Sequence, residues 1–198
     1  MPHLPAINKT AITAAPVLPV IAERWSPRSY DPTHVLTQHE LLSVLEAARW
    51  APSAMNIQPW RFSVIKREDA LFGDLIAHGL KGWNQAWAPK ASAIIVVSAV
   101  TADADGKNNP YAHYDTGSAV QNLLLQAAEL GLATHVMGGI EPEWLRENLS
   151  LADNIDPVVA LTIGKRALPE ELEGPLLERE LLARTRLTLD EIVLHGKP

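Results

Sequence analysis

Residues 117–130 read GSAVQNLLLQAAEL, and Gly131 follows them. Val120, Leu123, Leu124, Ala127 and Ala128 recur at the spacing that places side chains on one face of an α-helix. The stripe is wide and rich in small residues, as expected of a helix packed on several sides rather than laid on a surface. Gly131, free to take the left-handed conformation, ends it. Whatever this chain folds into must therefore close around a central helix.

The remaining elements are read on the same physical grounds. Thr37 and Glu40 form a capping box ahead of Leu41, Leu42, Leu45 and Ala48 at helical spacing. That helix ends at or before Ala51, because Pro52 disfavours helical geometry in the residue preceding it. Trp60, Phe62 and Val64 alternate with Arg61, Ser63 and Ile65, which predicts a half-buried strand over Trp60–Lys66. Residues 69–80 read as a second helix and Ala93–Val100 (AIIVVSAV) as a buried strand. The segment ATHVM runs into Gly138 and Gly139, Pro142 opens a helix at a favoured first position, and PVVALTI at 157–163 is the last apolar strand. Strands and helices without regular β-α-β alternation point to an α+β fold.

Residues 1–22 carry Pro2, Pro5, Pro16 and Pro19 and read as an extended arm, with at most a short helix entering Glu23. Residues 23–198 then form a single domain. Its last part, 165–198, lacks an apolar block, carries five Lys or Arg between Lys165 and Arg186, and holds a second capping box at Thr188 and Glu191. A tail of this kind is suited to wrapping a partner subunit.

A net charge of -6 and a pI near 5.6 argue against a nucleic-acid or anionic-membrane partner, since both reward a basic surface. The absence of cysteine excludes disulfides, thiolate catalysis and cysteine-ligated metals, and fits a reducing cytoplasm. Prolines 16 and 19 break the apolar stretch 11–22, so a targeting segment is not expected there, nor is a membrane span. The seven histidines show no metal-ligand spacing, so no metal is expected, and His113 and His135 read as ordinary polar or packing residues. P-loop, G-x-S-x-G and G-x-G-x-x-G patterns are missing. Asp115-Thr116-Gly117 resembles the D-T-G of aspartic proteases, yet it leads directly into the central helix, where Asp115 or Thr116 is expected to cap the N-terminus.

Three stretches remain that plain architecture does not require. ERWSPRSY at 23–30 sets two arginines four apart with a serine between them, and Arg184-Thr185-Arg186 repeats that chemistry near the other end of the chain. Guanidinium forks and hydroxyls are the donors that suit a phosphate. Between them, APSAMNIQPWRF at 51–62 joins a helix to a strand without the usual turn residues.

Together with SAVQNLLLQAAELGLATHVMGG and RTRL, these stretches resemble the FMN-dependent nitroreductase family, in order and over nearly the whole chain. The resemblance implies a mixed, largely antiparallel sheet flanked by helices, in a domain-swapped homodimer with two FMN molecules at the interface and extended C-terminal tails embracing the partner. It implies that Arg24 and Ser26, joined by Arg186 and Arg184, hold the FMN phosphate, with Trp25 among the cofactor-binding positions and Arg28 beside the flavin pyrimidine. Pro52, Ser53, Ala54 and Met55 match the segment that reaches the flavin, usually from the partner chain. Asn56, Gln58 and Trp60 are expected to lock that loop, with Asn56 a further candidate for cofactor contact. Gly138 and Gly139 match the positions facing flavin N5, and Asn84 a pyrimidine-binding position.

The implied activity is ping-pong reduction of nitro compounds, quinones or similar electron-poor small molecules, with NADH or NADPH as donor and no catalytic side chain. Trp83, Trp87 and Tyr111 are candidates for the acceptor pocket, with structural packing the favoured reading. Alternatives on the same scaffold are enone reduction, dehalogenation and flavin fragmentation. A non-catalytic flavin-binding protein is the rival from another class.

Overall fold

Residues 93–100 show how the chain layers itself. In a strand, alternate side chains point to opposite faces. Ala93, Ile95 and Val97 enter one core, with Leu41, Val44, Ala48, Trp60, Leu123 and Ala127. Ile94 and Val96 enter a second, with Tyr30, Phe72, Leu75, Trp87, Met137 and Leu145. All five are fully buried, so this strand is the middle of three layers.

The structure, a computed structural model, describes residues 9–196. Its elements run α1 (Pro19–Glu23), α2 (Gln38–Arg49), β1 (Trp60–Lys66), α3 (Leu71–Asp74), α4 (Asn84–Trp87), β2 (Ala93–Val100), α5 (Ala112–Glu129), β3 (Ala133–Met137), α6 (Pro142–Asn148), β4 (Ile155–Gly164), α7 (Gly174–Leu181) and α8 (Leu189–Ile192). The four strands form one sheet in the order β1-β2-β4-β3, and every neighbouring pair is antiparallel. Pro157, which has no N–H to give the ladder, sits where the β2–β4 register shifts at Val97 and Ser98. The α+β class and the antiparallel sheet flanked by helices are as expected. Among the described residues, no helix is long and apolar enough to cross a membrane.

The capping box at α2 forms as predicted: Glu40 N donates to Thr37 Oγ1 at 3.1 Å and Thr37 N to Glu40 Oε2 at 2.9 Å. At α8, Thr188 N donates to Glu191 Oε2 at 2.7 Å.

Two expectations need correction. The central helix begins at Ala112 rather than 117, because Asn109 starts it: Tyr111 N donates to Asn109 Oδ1 at 3.1 Å and Ala112 N to Asn109 O at 3.2 Å. The D-T-G sequence therefore lies inside the helix, and neither Asp115 nor Thr116 caps it. Residues 69–80 do not form one α-helix, since α3 passes into a π-turn over Leu75–Gly79. There the ring of Trp144 lies 2.9 Å from where a Gly79 Cβ would sit, so the wide turn and the missing side chain admit an indole.

In the region read as an arm, α1 is a short helix ending at Glu23 and Ala11 N donates to Ala22 O at 2.8 Å; residues 1–8 of that reading lie outside the described part. Residues 165–184 bond to their own chain: Asp31 N donates to Lys165 O and Ala167 N to Ser29 O. Leu181 and Leu182 within that stretch, and Leu187, Leu189, Ile192 and Leu194 beyond it, are exposed.

Candidate functional site

Residues 24–30 run beside the β3 edge of the sheet and are held there mainly through backbone and buried groups. Tyr30 is fully buried, with its hydroxyl 2.8 Å from Thr162 Oγ1, and Ser29 Oγ donates to Leu168 O at 2.5 Å. His135 Nδ1, 3.0 Å from Pro27 O, must carry the hydrogen, since a carbonyl only accepts. Burial, with the positive charges of Arg28 and Arg24, pushes the His135 imidazole down to about 4. Below pH 6.5 the unfolded chain gains a proton that the folded one refuses, so this group's contribution to stability is lost as pH falls from about 6.5 towards 4. Urea melts between pH 7 and pH 5 should show that loss, and His135→Gln should flatten it.

Anchored in this way, the loop turns Arg24, Ser26 and Arg28 into a cavity of 220 Å³, whose lining also includes Lys9, Trp25, Arg179, Arg184 and Arg186. The two arginine clusters, about as far apart in the chain as it allows, share one small space. Arg28, expected beside the flavin pyrimidine, lines this cavity as well. Burial and then the neighbouring Arg184 and Arg186 push the Arg24 guanidinium below its ordinary value. Like charges held so close are relieved by an anion. Arg184 also ties down the arm, its Nη1 donating to Lys9 O at 2.7 Å and Ala22 O at 2.5 Å. An adjoining cavity of 470 Å³ between α1, the end of α5 and β3 shares Arg24 and Trp25.

Farther along the same edge, Gly138 and Gly139 leave β3. A Cβ at Gly138 would meet nothing within 4 Å, so its backbone lies open, whereas one at Gly139 would stand 3.1 Å from Asn84 Nδ2. The sequence separates Asn84 from Gly139 widely, and the fold makes them neighbours. Trp83 is half exposed, with the Arg179 guanidinium 5.1 Å from its ring centroid, and Tyr111 is exposed. Trp87 is a core residue at 1% exposure, 4.6 Å between centroids from His135 and 6.2 Å from Tyr30.

The loop after Pro52 lies elsewhere. Met55, Asn56 and Gln58 hold φ of 51°, 56° and 53°, a left-handed geometry costing roughly 1–2 kcal/mol each for Met and Gln and less for Asn. Specific bonds hold the strain. Gln58 N donates to Ser53 Oγ at 3.0 Å, Gln58 Nε2 to Asn56 O at 3.0 Å, and Ala54 N to Asp115 Oδ2 at 3.0 Å. Met55 is left at 94% exposure, while Trp60 is buried. Gln58 and Trp60 lock the loop as expected, while Asn56 is exposed. Asp115, instead of capping its own helix, is the buried acceptor that ties the loop to α5. Asp115→Leu should therefore cost about 1–3 kcal/mol in a urea melt by leaving Ala54 N unpaired, whereas Asp115→Asn, which keeps an oxygen, should cost less.

None of Pro52, Ser53, Ala54, Met55 or Asn56 lines the cationic cavity. The loop feeds β1, the glycines leave β3, and these are the two edges of the sheet. Three strand spacings, roughly 14 Å, separate them.

The sequence profile described as the nitroreductase family matches residues 21–81 and 73–165, a span that takes in the first arginine cluster, the strained loop and the paired glycines. The chain belongs to the nitroreductase family. Among relatives of this nitroreductase-family protein, YdgI of Bacillus subtilis, assigned by name to the NAD(P)H nitroreductases, is 30% identical over 185 residues, covering 75% of this chain and 87% of that one. A crystal structure described as an oxidoreductase containing FMN superposes with a TM-score of 0.89 at 32% identity, covering 96% of both chains. A Desulfovibrio desulfuricans protein solved in complex with FMN gives a TM-score of 0.74 at 30% identity, covering 93% of this chain and 98% of that one.

Three residues in or behind the cationic cavity have no signal in the sequence. Lys9 sits in a proline-rich arm, and Arg179 and Glu180 sit on a charged helix with nothing to distinguish them from solvated residues. Only the fold of the tail against the arm brings them in.

Proposed function

We propose that this protein is an FMN-dependent NAD(P)H oxidoreductase that reduces nitro compounds, quinones or similar electron-poor acceptors as a homodimer. The observation that carries the reading is the convergence of Arg24 and Arg28 with Arg184 and Arg186 on one 220 Å³ cavity. A phosphate monoester, with nearly two negative charges at neutral pH and several acceptor oxygens, fits that donor set. The cavity is too small for a whole flavin mononucleotide, which suits a site for its phosphate alone, with the rest directed along the β3 edge towards Asn84 and Gly138.

Arg24, Ser26, Arg28 and Arg186 hold the phosphate in this reading. The open backbone at Gly138, with Gly139 next to it, would lie against the ring, and Asn84 would meet its pyrimidine edge. When bound, FMN supplies the two-electron chemistry, taking reducing equivalents from NAD(P)H and passing them to an acceptor that replaces the donor in ping-pong order. The side chains bind and orient, and none serves as a nucleophile. Because Pro52, Ser53, Ala54 and Met55 stand at the far edge of the sheet, they reach a flavin only on another copy. The exposed Met55 and the tail leucines support that assembly.

The test is stopped-flow mixing of the flavin-loaded protein with NADH and with NADPH, followed by nitroaromatics, quinones, enones and halophenols. Bleaching by at least one donor and recovery with an acceptor is the expected result. Retained FMN that neither donor bleaches would make this a flavin-binding protein rather than a reductase.

A further inference from the structure

Glu180, in the last turn of α7, is 1% exposed and does not line the cationic cavity; it stands behind it. Its Oε2 accepts from Arg28 N at 2.9 Å and its Oε1 faces Ser29 N at 3.4 Å. Two residues on, the carbonyl of Leu182 accepts from Lys9 Nζ. Arg184 Nη1 then donates back to Lys9 O at 2.7 Å. Lys9 is itself 7% exposed, lines the cavity, and carries its ammonium 5.0 Å from the ring centroid of Trp25. Tail and arm of one chain thus cross over the first arginine cluster.

A buried carboxylate beside an anion site opposes the anion. A cavity built for charge alone would do better without it. What the carboxylate supplies is two acceptor oxygens for two consecutive backbone N–H groups that point away from water, those of Arg28 and the fully buried Ser29. With those N–H groups turned back onto α7, the side chains of Ser26 and Arg28 are left to face the cavity.

We propose that Glu180 is a positioning residue for the cofactor phosphate, fixing the backbone at Arg28 and Ser29, and that Lys9, drawn in by the Leu182 carbonyl and by Arg184, is an additional cation of the same site. Together they make a clasp from the two ends of one protomer. The inference rests on the FMN reading above.

The test compares FMN with riboflavin, which lacks the phosphate, by flavin-fluorescence titration of the protein freed of flavin. The wild type should bind FMN more tightly than riboflavin, and a wild type without that preference would overturn the FMN reading itself. Glu180→Gln gives opposite signs for the two explanations. Loss of a negative charge alone would tighten FMN. Loss of positioning, with an amide NH₂ set against one of the backbone N–H groups, should weaken FMN by about tenfold and leave riboflavin within about twofold. FMN affinity equal to or above that of the wild type, with the wild-type preference intact, would overturn the clasp. Should Glu180→Gln not fold, Lys9→Met, on the arm outside the core, decides: a several-fold loss for FMN alone supports the proposal, and an unchanged FMN-to-riboflavin ratio refutes it.

Discussion

Arg24→Ala is expected to lower FMN affinity by about 10- to 150-fold, the equivalent of one charge-assisted hydrogen bond of roughly 1.5–3 kcal/mol, while riboflavin affinity stays close to that of the wild type. Arg24 is half-buried, so solvent screens it poorly, and it faces Arg184 and Arg186 across the cavity. Arg186→Ala should cost less, because Arg186 is exposed and its Nη1 already donates to Thr185 O at 2.7 Å. Its contribution should also fall with added salt, since ions at about 0.15 M screen exposed charges beyond roughly 8 Å. Equilibrium dialysis of FMN and riboflavin at low and high salt checks both variants. Equal losses for the two flavins would mean that Arg24 serves the ring rather than the phosphate.

Trp87→Ala should destabilise the protein by about 3–5 kcal/mol, the range for removing a large aromatic side chain from a packed core. The indole sits inside the second core, stacked on Tyr30 at an interplanar angle of 14° and tilted against His135 of β3. Those two neighbours anchor residues 24–30, Tyr30 through Thr162 and His135 through Pro27. The cavity left by the alanine should therefore loosen FMN as well as the fold, although Trp87 touches no part of the cationic cavity. Urea denaturation with and without saturating FMN separates the two effects. Trp87→Phe, which keeps most of the packing, should lose markedly less. A change below about 1 kcal/mol for Trp87→Ala would show that the indole is not the packing centre described here.

How much of this is legible in the sequence depends on the range of the interaction. Strands β1 and β2 fall where alternation and apolar runs place them, because side-chain parity is a local property that burial merely reads out. The start of α2 is equally local, a capping box complete within four residues. The start of α5 escapes a sequence reading because Asn109 opens the helix through a turn that helical periodicity does not register. The π-turn at Leu75–Gly79 escapes it because the Trp144 ring packed against Gly79 comes from far along the chain. Asp115 shows the same limit at the site. Its position near a helix start suggests a cap, and its actual partner, Ala54 N, is supplied by tertiary packing alone.

The arginine clusters are legible as chemistry, but their meeting is not. Two guanidinium pairs at opposite ends of a sequence carry no local sign of sharing a cavity. The resemblance to a flavoprotein family implies it, and the fold of the tail onto residues 24–30 provides it. Glu180 and Lys9 lie beyond either route, because a lone carboxylate on an amphipathic helix and a lone lysine in an arm look like ordinary surface residues until the ends of the chain are folded together.

The most direct measurement is the flavin-to-protein ratio of the wild-type protein after incubation with FMN, or with riboflavin, and passage over a desalting column. Close to one FMN per protomer is the expected result, with far less riboflavin. Protein that leaves the column without flavin in both cases, or that keeps riboflavin as well as FMN, would contradict a phosphate held by Arg24 and Arg186.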